Sequence, residues 1–131
     1  RNKKIIFFAL TVFNLQGGLK RVSALKEVNP NLKVLLSIGG ASADTGVFTT
    51  VAGTPELQQA MAQSAIEFFE TYNFDGLDVD WEYPRGGDIG TYIDLLSALK
   101  TAFEPNGYLL TVAVNSIPGE VGGYDIPKMS E

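Results

Sequence analysis

Between residues 75 and 82 the chain reads Asp75-Gly76-Leu77-Asp78-Val79-Asp80-Trp81-Glu82. Side chains alternate sides along a strand, so Asp78, Asp80 and Glu82 share one face with Gly76, while Leu77, Val79 and Trp81 take the other. A sheet that accepts this segment must cover one face with apolar partners and still shelter three carboxylates on the opposite face. Parallel strands covered by helices on one side offer no obvious place for such acids. The inward face at the C-terminal mouth of a (β/α)8 barrel does, because there the sheet interior opens onto the active-site end of the fold.

The rest of the chain supplies the alternation such a barrel needs. Residues 5–12 are a near-continuous apolar run and predict a buried strand. Gly17-Gly18 breaks it, after which Leu19, Val22, Leu25 and Val28 recur as the face of one helix, stopped by Asn29-Pro30-Asn31. Residues 32–38 predict a second strand ending on Gly39-Gly40, and a polar loop runs on to Gly53. Thr54 then caps a helix with Pro55 in its first turn, continuing through Ala60, Met61, Ala65, Phe68 and Phe69. After the third strand, at 75–82, come a loop at 83–87, a helix at 92–103, a turn at Pro105-Asn106-Gly107 and a fourth strand at 108–114. The tail, 118–131, reads as loop. Apolar strands alternating with helices predict the α/β class, with parallel strands and covering helices. A doubly wound nucleotide-binding sheet shares this rhythm, but no GxGxxG run follows a strand. The fold expected is a partial TIM (β/α)8 barrel, a single domain over residues 1–131.

Composition removes several chemistries. With no cysteine and no histidine, there is no disulfide framework, thiolate nucleophile, Cys-rich zinc site or Ser-His-Asp triad. The net charge is −5, from 10 basic and 15 acidic residues, and the bases crowd into the first 33 positions. Beyond Lys33 only Arg85, Lys100 and Lys128 remain. An acidic second portion disfavours nucleic acid and anionic membrane and suits a neutral substrate such as a sugar. The start, Arg1-Asn2-Lys3-Lys4 and then an apolar run, also has the outline of a secretory signal. No small-x-small cleavage pattern follows and the run is too short to span a bilayer, so a buried strand is the stronger reading. The absence of an initiator Met predicts a piece of a longer polypeptide.

Same-face carboxylates on a strand sit ~6–7 Å apart, and two full charges at that spacing repel by roughly 2.5 kcal/mol at an effective dielectric of about 20. Arg85 is the one base between Lys33 and Lys100. Some of these acids are therefore expected to hold protons near neutral pH, titrating as a coupled set. A protonated carboxyl is what a general acid requires. Two plainer readings compete. A solvated acidic edge is disfavoured by apolar Leu77, Val79 and Trp81 on the other face. A metal site is disfavoured because a straight strand spreads its first and third carboxylates ~13 Å apart and the spacing is not that of an EF-hand loop. No metal and no cofactor are expected.

Residues 75–82 fit the DGxDxDWE signature of glycoside hydrolase family 18, the chitinases and their relatives, and Tyr83-Pro84 continues it as in many animal members. Ser37-Ile38-Gly39-Gly40, one β/α unit earlier, resembles the family's SxGG motif. The resemblance covers essentially the whole chain, which looks like the second to fifth β/α units of the family's barrel. It implies that Glu82 is the proton donor, that Asp80 orients the substrate's N-acetyl group, and that Asp78 supports Asp80. It makes Ser37 a strand hydroxyl bonded into the acidic chain, Asp75 a supporting residue, and Gly39, Gly40 and Tyr83 neighbours of the substrate. Tyr83 has two open readings, lining the groove or packed inside; Trp81 reads as core.

The implied chemistry is hydrolysis of β-1,4-linked N-acetylglucosamine with retention, in which the sugar's own acetamido oxygen replaces the usual carboxylate nucleophile, an exception among glycosidases. The implied partners are chitin or N-acetylglucosamine oligosaccharides, with no obligate protein partner evident and an extracellular setting. Where many active members carry Trp after the glycine pair, this chain has Ala41, which lowers the expected grip on crystalline chitin. Beside the endo-acting chitinase stand two alternatives: a chitinase-like lectin without turnover, and an enzyme cutting the di-N-acetylchitobiose core of N-glycans. Four parallel strands cannot close a barrel of eight, so the isolated piece is expected to be inactive and either to associate or to stay poorly packed.

Overall fold

The computed structural model of the chain describes residues 5–9, 15–116 and 124–129. Residues 1–4, 10–14, 117–123 and 130–131 lie outside them, and with them the basic flank, the end of the first expected strand (10–12), and 118–123 and 130–131 of the expected tail loop. The elements run β1 (Ile5–Ala9), α1 (Leu15–Ser23), α2 (Leu25–Val28), β2 (Lys33–Gly39), α3 (Thr45–Ala52), α4 (Pro55–Tyr72), β3 (Gly76–Asp80), α5 (Asp88–Phe103), a 3-10 turn (Glu104–Asn106), β4 (Leu109–Val112) and α6 (Ile126–Met129). The four strands form one parallel sheet in the order β1-β2-β3-β4, each neighbour following in sequence after a helical crossover. This is the α/β arrangement that the strand–helix rhythm predicts.

One face of the sheet carries the core. Val34 and Leu36 from β2 and Leu77 and Val79 from β3 are buried against Ala62, Ala65 and Phe69 of α4 and against Leu95, Leu96, Leu99 and Phe103 of α5. Leu110 and Val112 of β4 pack on the same cluster. The period of two then sends Leu35, Ser37, Gly76, Asp78, Asp80 and Thr111 to the opposite, inner face. Gly76 is required at its place by proximity, since a Cβ there would overlap the Leu109 carbonyl oxygen of β4.

Four expectations need correction. The helix expected over 19–28 is broken at Ala24 into α1 and α2. A residue nine positions on is two and a half turns away at 3.6 residues per turn, so Val28 lies opposite Leu19 and the two cannot share a face. Leu19 is accordingly buried and Val28 is 86% exposed. Gly17-Gly18, read as a breaker, lies inside α1; burial of Leu19 and packing of Val22 offset the helix penalty of glycine, about 1 kcal/mol each.

The polar loop expected before Gly53 contains α3. Asp44 caps it by accepting the Gly46 N–H at 2.8 Å, and Phe48, Val51 and Ala52 give it an apolar stripe. The tail expected as loop contains the short α6. Two boundaries also move: β3 ends at Asp80, leaving Trp81 and Glu82 past the strand, and α5 begins at Asp88.

Asp75 locks the N-terminal end of β3. Its Oδ2 accepts the Val34 N–H at 2.8 Å, and its carboxylate pairs with Lys26 at 2.9 Å and Lys33 at 3.0 Å. Lys26 also donates to the Asn73 carbonyl at 2.8 Å, where α4 ends in a left-handed residue. Burial works to raise the Asp75 carboxyl, but the Val34 amide and the two lysines outweigh it and hold it below the usual aspartate value. An aspartate lowered by folding stabilises the fold above its ordinary range, and that contribution is lost as pH falls through the lowered value. Asp75→Asn is therefore expected to cost about 2 kcal/mol at pH 7 by urea unfolding, with the difference from wild type closing under acid. A difference independent of pH would show that the charge is not what holds this end.

Candidate active site

Parallel register decides which inner-face residues meet. Ser37 of β2, Asp78 of β3 and Thr111 of β4 are direct partners across the sheet and form one row. Neighbouring strands lie about 4.8 Å apart, close enough for a short hydroxyl side chain to reach a carboxylate on the next strand. Ser37 Oγ donates to Asp78 Oδ2 at 2.8 Å, and Thr111 Oγ1 donates to Asp78 Oδ1 at 2.7 Å. Asp78 is only 7% exposed, so both its oxygens are satisfied where water scarcely reaches. The expected bond from Ser37 is present. Thr111 is a partner that sequence reasoning missed, although a lone hydroxyl inside Leu109-Leu110-Thr111-Val112 was the available signal.

Asp80, half-buried, stands one step nearer the mouth, opposite Gly39. The end of β2 comes so close that a Cβ on Gly39 would overlap the Asp80 carbonyl oxygen, and Gly39 has φ +119°, a conformation other residues rarely adopt. Gly40 donates its N–H to the same carbonyl at 2.8 Å. A Cβ on Gly40 would lie 3.8 Å from Asp80 Oδ2, so the glycine pair leaves open ground beside that carboxyl. Burial first, then the charges of Glu82 and Asp78, push the Asp80 carboxyl above the usual aspartate value.

Glu82 is half-buried just beyond the strand, and its peptide bond to Tyr83 is cis. Tyr83 is half-buried and packs against the core. Trp81 is core, 1% exposed, stacked on Phe48 with ring centroids 5.4 Å apart and met edge-on by Tyr92 at 5.4 Å. Asp75, grouped with the site in the sequence, lies at the other end of β3 and serves strand pairing there. A cavity of about 780 Å³ lies in a groove between α5 and β4, lined by Leu96, Tyr108, Leu110 and Met129 among others, and none of the three acids lines it.

Ionised Asp80 costs stability, and the cost sets in as pH rises through the ordinary aspartate value toward the raised one. Asp80→Asn is therefore expected to raise Tm at pH 7 by about 3 °C, with the gain gone below about pH 3.9. A lower Tm at neutral pH would contradict a repelled, half-buried carboxyl.

The sequence model of the family described as glycosyl hydrolases family 18 matches residues 3–131. The chain is similar to a probable endochitinase of Caenorhabditis elegans, 39% identical over 124 residues, covering 88% of this chain and 20% of that protein. Its structure is similar to that of a Group IV chitinase of Ostrinia furnacalis, with a TM-score of 0.86 and 34% identity, covering 96% of this chain and 39% of that one. The complex of the Ostrinia enzyme with allosamidin gives a TM-score of 0.84 at 35% identity, over 95% of this chain and 39% of that one. The chain therefore spans a fraction of the length of the proteins it matches.

Proposed function

Because the chain belongs to glycosyl hydrolases family 18, we propose that it carries the catalytic acids of an endo-acting chitinase that cleaves β-1,4-linked N-acetylglucosamine. The observation that carries this reading is the inner-face row Ser37–Asp78–Thr111, with Asp80 beside it made a weaker acid by burial and by its acidic neighbours. Such a site handles protons and developing positive charge with carboxyls alone.

In the proposed reaction, Glu82 gives its proton to the glycosidic oxygen as the bond to the anomeric carbon breaks. The substrate's acetamido oxygen closes onto that carbon, and the positive charge spreads over the resulting oxazolinium ring. Asp80 accepts a hydrogen bond from the acetamido N–H and faces that charge, a preorganised electrostatic role. Asp78 cannot swing, since hydroxyls hold both its oxygens, and it presents a fixed negative neighbour to Asp80. Glu82, now ionised, takes a proton from the water that opens the ring, which restores the starting state and retains configuration. Gly39 and Gly40 supply clearance for a sugar beside Asp80, and Tyr83 offers a ring edge next to Glu82. Chitin or its oligosaccharides are the proposed partners. Because chitin is an extracellular polymer, the reaction is placed outside the cell.

Glu82→Gln in the full-length protein carrying this chain is expected to lower hydrolysis of an N-acetylglucosamine oligomer by about 10³-fold while leaving its binding intact. Unchanged turnover would remove Glu82 from the role. A wild-type protein that binds the oligomer without cleaving it would make the chain part of a lectin instead.

A further inference from the structure

The sheet stops holding the chain one residue before Trp81. The last cross-strand bonds flanking the acidic strand are Gly40 N–H to the Asp80 carbonyl at 2.8 Å and Ala113 N–H to the Val79 carbonyl at 3.1 Å. Glu82 lies beyond them, two residues after Asp80 and past the end of β3. Something other than a strand ladder must keep it in place.

The structure offers a row of rings. Phe48 of α3 stacks on Trp81 at 5.4 Å with planes 14° apart. Tyr92 of α5 meets Trp81 in a T-shaped contact at 5.4 Å and 87°. Tyr124, past β4, closes on Tyr92 at 6.2 Å and 63°. Trp81 and Tyr92 are each 1% exposed and Tyr124 is 8% exposed, so three of the four rings are buried. The row gathers an α3 helix, the acidic strand's end, an α5 helix and the segment after β4, and it runs through the residue covalently joined to Glu82. Offset-stacked and edge-to-face pairs fix orientation as well as burying area.

We propose that Phe48, Tyr92 and Tyr124 are positioning residues for Glu82, acting through Trp81 as one aromatic row. The role rests on the reading of Glu82 as proton donor and adds residues outside the acidic strand. A row that clamps Trp81 sets the direction in which Glu82 leaves the strand, so its loss misplaces the proton donor without disturbing the ground beside Asp80 where a sugar binds.

Phe48 is half-buried, which makes it the position to vary without collapsing the core. In the full-length protein carrying this chain, Phe48→Leu is expected to lower kcat about tenfold on an N-acetylglucosamine oligomer, with KM changed less than about twofold. Phe48→Tyr, which keeps the ring, is expected to restore kcat. Val51→Ala is the control, since Val51 packs on the core from the same helix outside the ring row, and it is expected to lower Tm with kcat unchanged. If Phe48→Leu keeps the wild-type kcat, or if Val51→Ala at equal loss of Tm reduces kcat as much, the positioning role is overturned while the hydrolase reading stands. A wild-type protein without turnover on any such oligomer overturns both.

Discussion

A single buried carboxylate organises the inner face of this sheet. Asp78 is placed where water barely reaches, and a charge there is tolerable only if both oxygens find donors. Ser37 and Thr111 are those donors, and they come from the strands on either side. The bonds exist only in one register, because a slip of one residue in β2 or β4 would turn the hydroxyl to the helix side and bring an apolar side chain inward. The same two bonds therefore settle three things together: pairing of β2 with β3, pairing of β3 with β4, and the orientation of the acid beneath Asp80.

The faces of the acidic strand do opposite work. Leu77, Val79 and Trp81 face the helices and contribute burial, while Asp78, Asp80 and Glu82 accumulate repulsion on the inner side. A partial (β/α)8 barrel reconciles the two because helices α4 and α5 cover the outer face of β3 while its inner face is turned toward the barrel interior. Exposure rises along the acids, from Asp78 within the strand to half-buried Asp80 and Glu82. Chemistry follows that gradient: the deepest acid is fixed by hydroxyls, and the middle one is weakened by its surroundings. Unrelieved repulsion of this kind costs stability, a cost that proteins carry at functional sites and offset elsewhere. Part of the offset lies at the far end of β3, where the charge of Asp75 is matched by Lys26 and Lys33.

How much of this was legible in the residues depends on distance along the chain. The split of 76–82 into an acidic and an apolar face follows from a period of two and needs no knowledge of the rest, as do β2 and α4. Ser37 was reachable because its motif sits beside a glycine pair. Thr111 was not singled out, since its partner is 33 residues away and only the register joins them. The helix α3 was missed because Thr45, Gly46, Val47, Thr49, Thr50 and Val51 are weak helix formers, and what holds it is tertiary: Phe48 on Trp81 and Ala52 in the core. Reading Leu19 to Val28 as one stripe failed for a local reason, as a spacing of three drifts off the face of an α-helix within two turns.

The end of β3 at Asp80 has the largest consequence for chemistry. Had the strand run to Glu82, as the alternation predicts, the three carboxylates would be spaced evenly and rigidly, each separated by one repeat of the pleat. By leaving the sheet after Asp80, the backbone takes Glu82 out of that spacing, while Trp81 beside it is packed against Phe48 and Tyr92. The inner hydroxyls hold Asp78, and the aromatic rings on the helix side pack around Trp81, the residue before Glu82. The two rows are joined along the chain where Asp80 passes into Trp81, so the segment that bears the acids also links the residues that hold Asp78 to those that hold Trp81.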